Sequence, residues 1–269
     1  MTDHTAIATA VELYNVDWLV HNASLLSASG ERNPRLAMDV NIRGFEYAIE
    51  AAKEYNLRIL TPSSMAAFGP STPRLNTPDV TIMRPNTIYG VSKVYIELLG
   101  EYYHSKWGVD FRSLRYPGII SSGIMPEGGT TDYAVDIFYE ALKQKTYECF
   151  LKPDATLPMM YMPDCLKGTL QLLEADNANL ISRVFNVAAF SFSPGEIAAE
   201  IQIHIPDFEI TYNPDFRQIL AESWPQSLSD TNARAQWNWM PDYTLSMMVE
   251  DMLEKLAAKL EIEYLSGSE

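Results

Sequence analysis

Cysteine is nearly absent from the 269 residues, with only Cys149 and Cys165 present. Two thiols give no disulfide framework, and a reducing compartment suits such a chain. Histidine is equally sparse. His4, His21, His104 and His204 are scattered without metal-ligand spacing, so no metal site is expected and zinc-dependent chemistry is disfavoured. Positive charge is in deficit, with 20 Lys and Arg against 35 Asp and Glu and a formal net charge of −15. That balance argues against a nucleic-acid partner, whose phosphates would be repelled, and says little about a small zwitterion. No apolar run is long enough for a bilayer, and the first residues lack the basic and apolar regions of a signal peptide. Neither a membrane partner nor a targeting signal is therefore expected. Thirteen glycines occur, yet none falls into a Gly-x-Gly or Gly-x-x-Gly-x-x-Gly pattern. A dinucleotide fold normally opens with strand, glycine loop and helix, because close backbone approach and helix-terminal amides hold a pyrophosphate.

What is present is an ordinary globular composition, 47% hydrophobic and 20% charged, in a length that suits one large domain or a domain with a smaller lobe. The most informative stretch is 57–93. Residues 57–60 form a short apolar run ending in Thr61-Pro62-Ser63-Ser64, consistent with a buried parallel strand. A Pro-rich segment over 69–87 precludes a regular element there and suggests a wall or lid of a site. Then comes Tyr89-Gly90-Val91-Ser92-Lys93, with apolar residues at three- and four-residue steps through Tyr102 and Gly108 placed as a helix stop. Residues i and i+4 share a helix face, so Lys93 stands one turn from Tyr89. A lysine ammonium there favours the phenolate, lowers the tyrosine pKa and poises it for proton transfer. Tyr-x-x-x-Lys alone is equally a surface tyrosine beside a solvated lysine. Serines ending one parallel strand and a tyrosine opening the next helix would share the ligand-binding edge of an open α/β sheet.

The rest of the chain alternates similarly. A helix is expected over 4–15, with Ile7, Val11 and Leu13 apolar, and a buried strand over 17–21. The strand runs into Asn22-Ala23-Ser24-Leu25-Leu26-Ser27, which is either a plain polar loop or a surface for a flat ligand. A long helix follows over 34–55, its inner face carrying Leu36, Val40, Phe45, Ile49 and Ala52. Asn41, mid-helix, suits a bend or a buried hydrogen bond better than catalysis. Strands are expected over 109–116, 158–161 and 183–188, and helices over 133–142, 165–173 and 245–260. The threonines of Gly128-Gly129-Thr130-Thr131 read as an N-cap or as part of a carboxylate site at a helix start, two compatible roles. Asp164 reads as a cap, and Ser193-Pro194-Gly195-Glu196 as a capping box. The aromatics of 206–240 read mostly as core, and Trp224 as a pocket wall. The last residues are expected to be mobile.

Pro62-Ser63-Ser64-Met65-Ala66-Ala67-Phe68-Gly69 together with Tyr89-Gly90-Val91-Ser92-Lys93 resembles the extended short-chain dehydrogenase/reductases, which include the sugar-nucleotide epimerases. Leu114-Arg115-Tyr116-Pro117-Gly118, Gly128-Gly129-Thr130-Thr131-Asp132-Tyr133, Leu157-Pro158-Met159-Met160-Tyr161, Tyr212-Asn213-Pro214-Asp215-Phe216 and Ser223-Trp224-Pro225 narrow the likeness to that family's L-threonine 3-dehydrogenases. The resemblance spans nearly the whole chain. It implies an α/β, doubly wound parallel (Rossmann-like) sheet with a smaller C-terminal substrate-binding lobe. A partial NAD-binding domain is expected over 1–120 and 155–190, and the substrate lobe over 121–154 and 191–269.

It further implies NAD-dependent oxidation of the L-threonine hydroxyl to 2-amino-3-oxobutanoate, with Ser64, Tyr89 and Lys93 as the catalytic set. Asn22, Ala23, Ser24, Leu25, Asn41, Tyr89, Lys93, Tyr116, Pro117 and Ile119 would contact NAD. Ser27, Ser64, Tyr89, Thr130, Thr131 and Trp224 would contact the substrate. A homodimer in the cytoplasm or the mitochondrial matrix fits the resemblance. The family more often has threonine where Ser64 stands, a departure that keeps the hydroxyl. The missing glycine motif is the larger departure. Residue 17 matches the family's fourth strand, so the sequence is expected to start after three strands and two helices. An epimerase or dehydratase acting on a sugar nucleotide, and a non-catalytic relative unable to bind NAD, are the alternatives.

Overall fold

The computed structural model describes residues 3–126 and 128–262, so the C-terminal residues for which mobility is expected lie outside the described residues. Helix α1 (His4–Tyr14) begins where the Asp3 carboxylate accepts the Thr5 amide at 2.9 Å. It turns Ile7 and Val11 into the core and leaves Leu13 exposed. Strand β1 (Trp18–Val20), helices α2 (Ser27–Arg32) and α3 (Pro34–Ala37), a π-helical turn over Met38–Arg43 and helix α4 (Gly44–Glu54) follow. Strand β2 (Arg58–Ser64) leads through the Pro-rich loop to α5 (Ile88–Trp107), which ends at Gly108 with φ of 73°. Next come β3 (Phe111–Tyr116), β4 (Gly118–Ile120), α6 (Tyr133–Gln144), β5 (Thr146–Cys149), β6 (Leu157–Tyr161) and α7 (Met162–Glu174). The chain closes with β7 (Val184–Asn186), β8 (Phe190–Phe192), α8 (Pro194–His204), β9 (Glu209–Tyr212), α9 (Arg217–Ser223), α10 (Thr231–Trp237) and α11 (Leu245–Leu260).

The main sheet has the order β1-β2-β3-β7, and every pairing in it is parallel, as the alternation of strand and helix signals requires. Because successive strand residues face opposite sides, Ile59 and Phe111 pack with Phe45 and Ile49 on one face. Leu60, Leu114 and Phe185 pack with Trp237 and Trp239 on the other. β3 is buried on both faces, and its polar residues Arg112 and Arg115 are buried with hydrogen-bonded partners. A second sheet, β4-β6-β8, is mixed, and β5 pairs with β9 in a third. Under them α6, α8 and α11 enclose a core that includes Phe138, Ile197, Met248 and Leu253.

Several expectations need correction. The helix over 34–55 is not continuous, since the π turn at 38–43 inserts into it and rotates the preceding face. Leu36, assigned inward by a strict 3.6-residue period, is therefore exposed, while Phe45, Ile49 and Ala52 are buried. Asp164 caps nothing. It lies inside α7, buried, and its carboxylate accepts the amides of Asp242 and Tyr243 at 2.8 and 3.1 Å. The N-cap of α6 is Asp132 rather than a threonine, and its carboxylate turns back to the Gly128 and Gly129 amides at 2.9 and 2.7 Å. The capping box is present as expected, with Ser193 and Glu196 bonded reciprocally.

Candidate active site

The site lies at the carboxyl edge of the main sheet. Ser64 ends β2 directly opposite Tyr116 of β3. Its hydroxyl accepts the Ala66 amide at 3.2 Å, which turns the chain out of the strand. Tyr89 sits in the first turn of α5, where Thr87 caps the helix by accepting the Gly90 amide at 3.0 Å. A Cβ on Gly90 would stand 2.2 Å from the Ala66 carbonyl oxygen. Glycine after the tyrosine thus lets α5 start against the end of β2, and brings Tyr89 into hydrogen-bonding contact with Ser64.

Lys93 follows one turn later and is buried. Its ammonium donates to the Pro62 carbonyl at 2.8 Å and lies 5.2 Å from the centre of the Tyr89 ring. The electrostatics differ from the expected lowering of the tyrosine pKa. Burial pushes the Tyr89 hydroxyl up from its ordinary value, and the bond with Ser64 only partly offsets this. Burial brings Lys93 down to about 8, against the pull of the Glu97 carboxylate. Loss of hydration disfavours the charged form of both groups, and here it exceeds what Ser64 and Glu97 offset.

Ser27, Ser64, Tyr89, Tyr116, Pro117, Ile119, Thr130, Thr131 and Trp224 line one cavity of about 300 Å³. Lys93 stands behind Tyr89 rather than on the wall. Asn22, Ala23, Ser24 and Leu25 form the loop after β1 and do not border that cavity. Asn41, on the π turn, is fully buried. Its side chain accepts the Leu25 amide at 2.7 Å and donates to the Leu25 carbonyl at 3.0 Å and the Ser92 hydroxyl at 3.3 Å. It holds the loop after β1 against α5. The Pro-rich loop is neither wall nor lid of this cavity. It braces the wall from behind, through a bond from Arg74 Nε to the Trp224 carbonyl at 3.3 Å.

Sequence reasoning missed Leu26, Met65 and Asp132 on the cavity wall. It also missed His21, whose ring is buried against Phe45 with neither nitrogen hydrogen-bonded among the described residues. Burial, with Lys93 nearby, lowers His21 to about 4. Only its position at the end of a predicted buried strand hinted at this. No group of His, Cys, Asp and Glu among the described residues is arranged to hold a metal.

Residues 1–188 match the model of the NAD dependent epimerase/dehydratase family. The chain belongs to that family. It is 59% identical to the crystal structure of L-threonine dehydrogenase from Phytophthora infestans, with a TM-score of 0.95, and the match covers 96% of this chain and 84% of that one. The L-threonine dehydrogenase structure from Clostridium difficile gives 50% identity and a TM-score of 0.95 over 96% of this chain and 82% of that one. Mitochondrial L-threonine 3-dehydrogenase of Bos taurus is 50% identical over 252 residues, which are 93% of this chain and 68% of that protein.

The residues present fit one half of a dinucleotide. The Tyr89 hydroxyl, the Lys93 ammonium and the small side chains after β1 suit a nicotinamide and its ribose at the sheet edge. The described residues contain no glycine-rich loop for the pyrophosphate.

Proposed function

We propose that the chain oxidises the β-hydroxyl of L-threonine with NAD, giving 2-amino-3-oxobutanoate. The observation that carries this reading is one small cavity joining Ser64 and Tyr89 to Gly129, Thr130, Thr131 and Trp224, in a chain that overlays on L-threonine dehydrogenases. Ser64 holds the reacting hydroxyl, and Tyr89 takes its proton as general base. Lys93, protonated, supports the phenolate and reaches the nicotinamide ribose. NAD supplies the acceptor for the hydride that leaves the substrate Cβ, so a carbonyl remains when both proton and hydride are gone. Thr130 and Thr131 take the amino-acid head group, Ser27 and Trp224 close the pocket, and Tyr116, Pro117 and Ile119 line the route to the nicotinamide. Asn41 acts on the cofactor through Leu25, whose backbone it holds. Residues 1–120 and 155–190 serve the cofactor, and 121–154 and 191–269 the substrate.

A cavity of about 300 Å³ suits an amino acid better than a sugar nucleotide, which favours this reading over an epimerase. We assign a homodimer on the exposed apolar face of α5, where Val91, Leu98 and Tyr102 recur at helical spacing. A place in the cytoplasm or the mitochondrial matrix belongs to the same proposal. Among the described residues no helix is long and apolar enough to cross a membrane.

The test is threonine-dependent NADH formation by residues 1–269 with a glycine-rich βαβ unit fused ahead of them, the form expected to bind NAD. Y89F is expected to cut the rate by about 10²–10⁴-fold with the melting temperature nearly unchanged. An unaffected rate in Y89F would remove Tyr89 from the role of base.

A further inference from the structure

Behind the catalytic pair lies a buried polar cluster that the reaction above does not use. Glu97, one turn beyond Lys93 on α5, is 1% exposed. Its carboxylate accepts the Arg115 guanidinium in a fork, Nε to Oε1 at 2.9 Å and Nη2 to Oε2 at 2.7 Å, and it also accepts the Ser63 hydroxyl. Arg115 is buried as well, and its remaining donors reach the Asp79 carbonyl at 2.7 Å and the Asn186 amide oxygen at 3.2 Å.

A buried ion pair is seldom a net source of stability, because both charges lose their water. Its cost invites a functional explanation here, since both ends of the cluster abut the site. Ser63 precedes Ser64, and Glu97 stands at i+4 from Lys93 on the same face of the helix. We propose that Glu97 is the positioning residue of the site, with two effects from one carboxylate. Fixed by Arg115, it anchors the serine end of β2 to α5 and supplies the negative charge that keeps the buried Lys93 protonated.

The surroundings of Lys93 leave few other candidates for that charge. Tyr89 lies on its own helix, burial pushes that phenol towards its neutral form, and His21 from the end of β1 is a neutral neighbour well above about 4. Arg115 from β3 is itself a cation. Asp79, from the Pro-rich loop, accepts the Asn186 amide and the Asn232 side chain at 2.9 Å for the latter, on the far side of Arg115. The Glu97 charge opposes the effect of burial on Lys93.

This proposal rests on the reading of Lys93 as the ammonium of the site, but its test involves no turnover, so the two can fail separately. Lysine labelled at Cε with carbon-13 is followed by NMR against pH in the 269-residue protein, and the Lys93 resonance is identified by its loss in K93R. The midpoint is expected near 8 in the unsubstituted protein, to fall by about one pH unit in E97Q, and to return in E97D, which keeps the charge. A purely structural Glu97 would leave the E97Q midpoint in place, and that result overturns the proposal. Should E97Q leave Arg115 too poorly compensated to fold, E97Q/R115Q removes both charges while keeping hydrogen-bonding shapes. A smaller fall is expected there, because the Arg115 cation leaves with the nearer carboxylate, and a midpoint that does not fall overturns the proposal.

Discussion

Burial acts on Tyr89 and Lys93 in opposite directions, raising one and lowering the other, so both move towards their neutral forms. The tyrosine is therefore not a preformed phenolate in this geometry. His21 offers a separate reading of burial in this corner. Its pKa is about 4 in the fold and near 6.5 when unfolded. The unfolded chain therefore binds a proton that the folded one refuses, and stability falls as pH drops from about 6.5 to 4. The full difference is about 3 kcal/mol. Urea unfolding at stepped pH should show that loss, and H21L should flatten it. An equally steep loss in H21L would assign the acid sensitivity elsewhere. Tyr89, Lys93 and Ser64 were legible in the sequence because their spacing and order imply one sheet edge. His21 was not, since an isolated histidine carries no spacing signal and its neighbours come from α4 and α5.

At the scale of elements, α5 packs tightly on β3. A Cβ on Gly100 would meet the Phe111 ring at 2.3 Å. G100A is expected to destabilise by about 1–3 kcal/mol through overpacking, read as a lower urea midpoint with an unchanged slope. A neutral or stabilising G100A would mean that the helix can shift outward without loss. The strands β2 and β3 and the helices α5 and α11 were readable because each carries a long periodic or doubly buried pattern, whereas β1, expected as a buried strand over 17–21, is three residues with Val20 exposed. Strands β4, β5, β8 and β9, at three or four residues each, were not. Their pairing partners are distant in sequence, as when β4 follows Pro117 and joins β6 rather than continuing β3. The π turn was hidden for a related reason. Its extra residue becomes favourable only once Asn41 closes on Leu25 and Ser92, a contact that helical periodicity does not encode.

On the scale of the whole molecule, catalytic geometry and cofactor affinity have separate sources. Ser64, Tyr89 and the substrate wall converge within these 269 residues. The amides that meet a pyrophosphate in a dinucleotide fold belong to a glycine loop absent from them, and a net charge of −15 adds a weak repulsion. The contact between copies proposed on α5 is a separate matter, and L98E is expected to convert a dimer to a monomer in light scattering. A protein monomeric before the change would rule that surface out. The sharpest measurement places residues 1–269 beside a fusion that carries a glycine-rich βαβ unit ahead of them, and follows NAD binding and threonine-dependent NADH formation in both. The fusion should bind NAD and turn over threonine, while residues 1–269 alone should bind NAD weakly and form little NADH. Equal affinity and turnover in both would refute the division between the two sources, and a fusion that binds NAD yet leaves threonine untouched would refute the catalytic assignment itself.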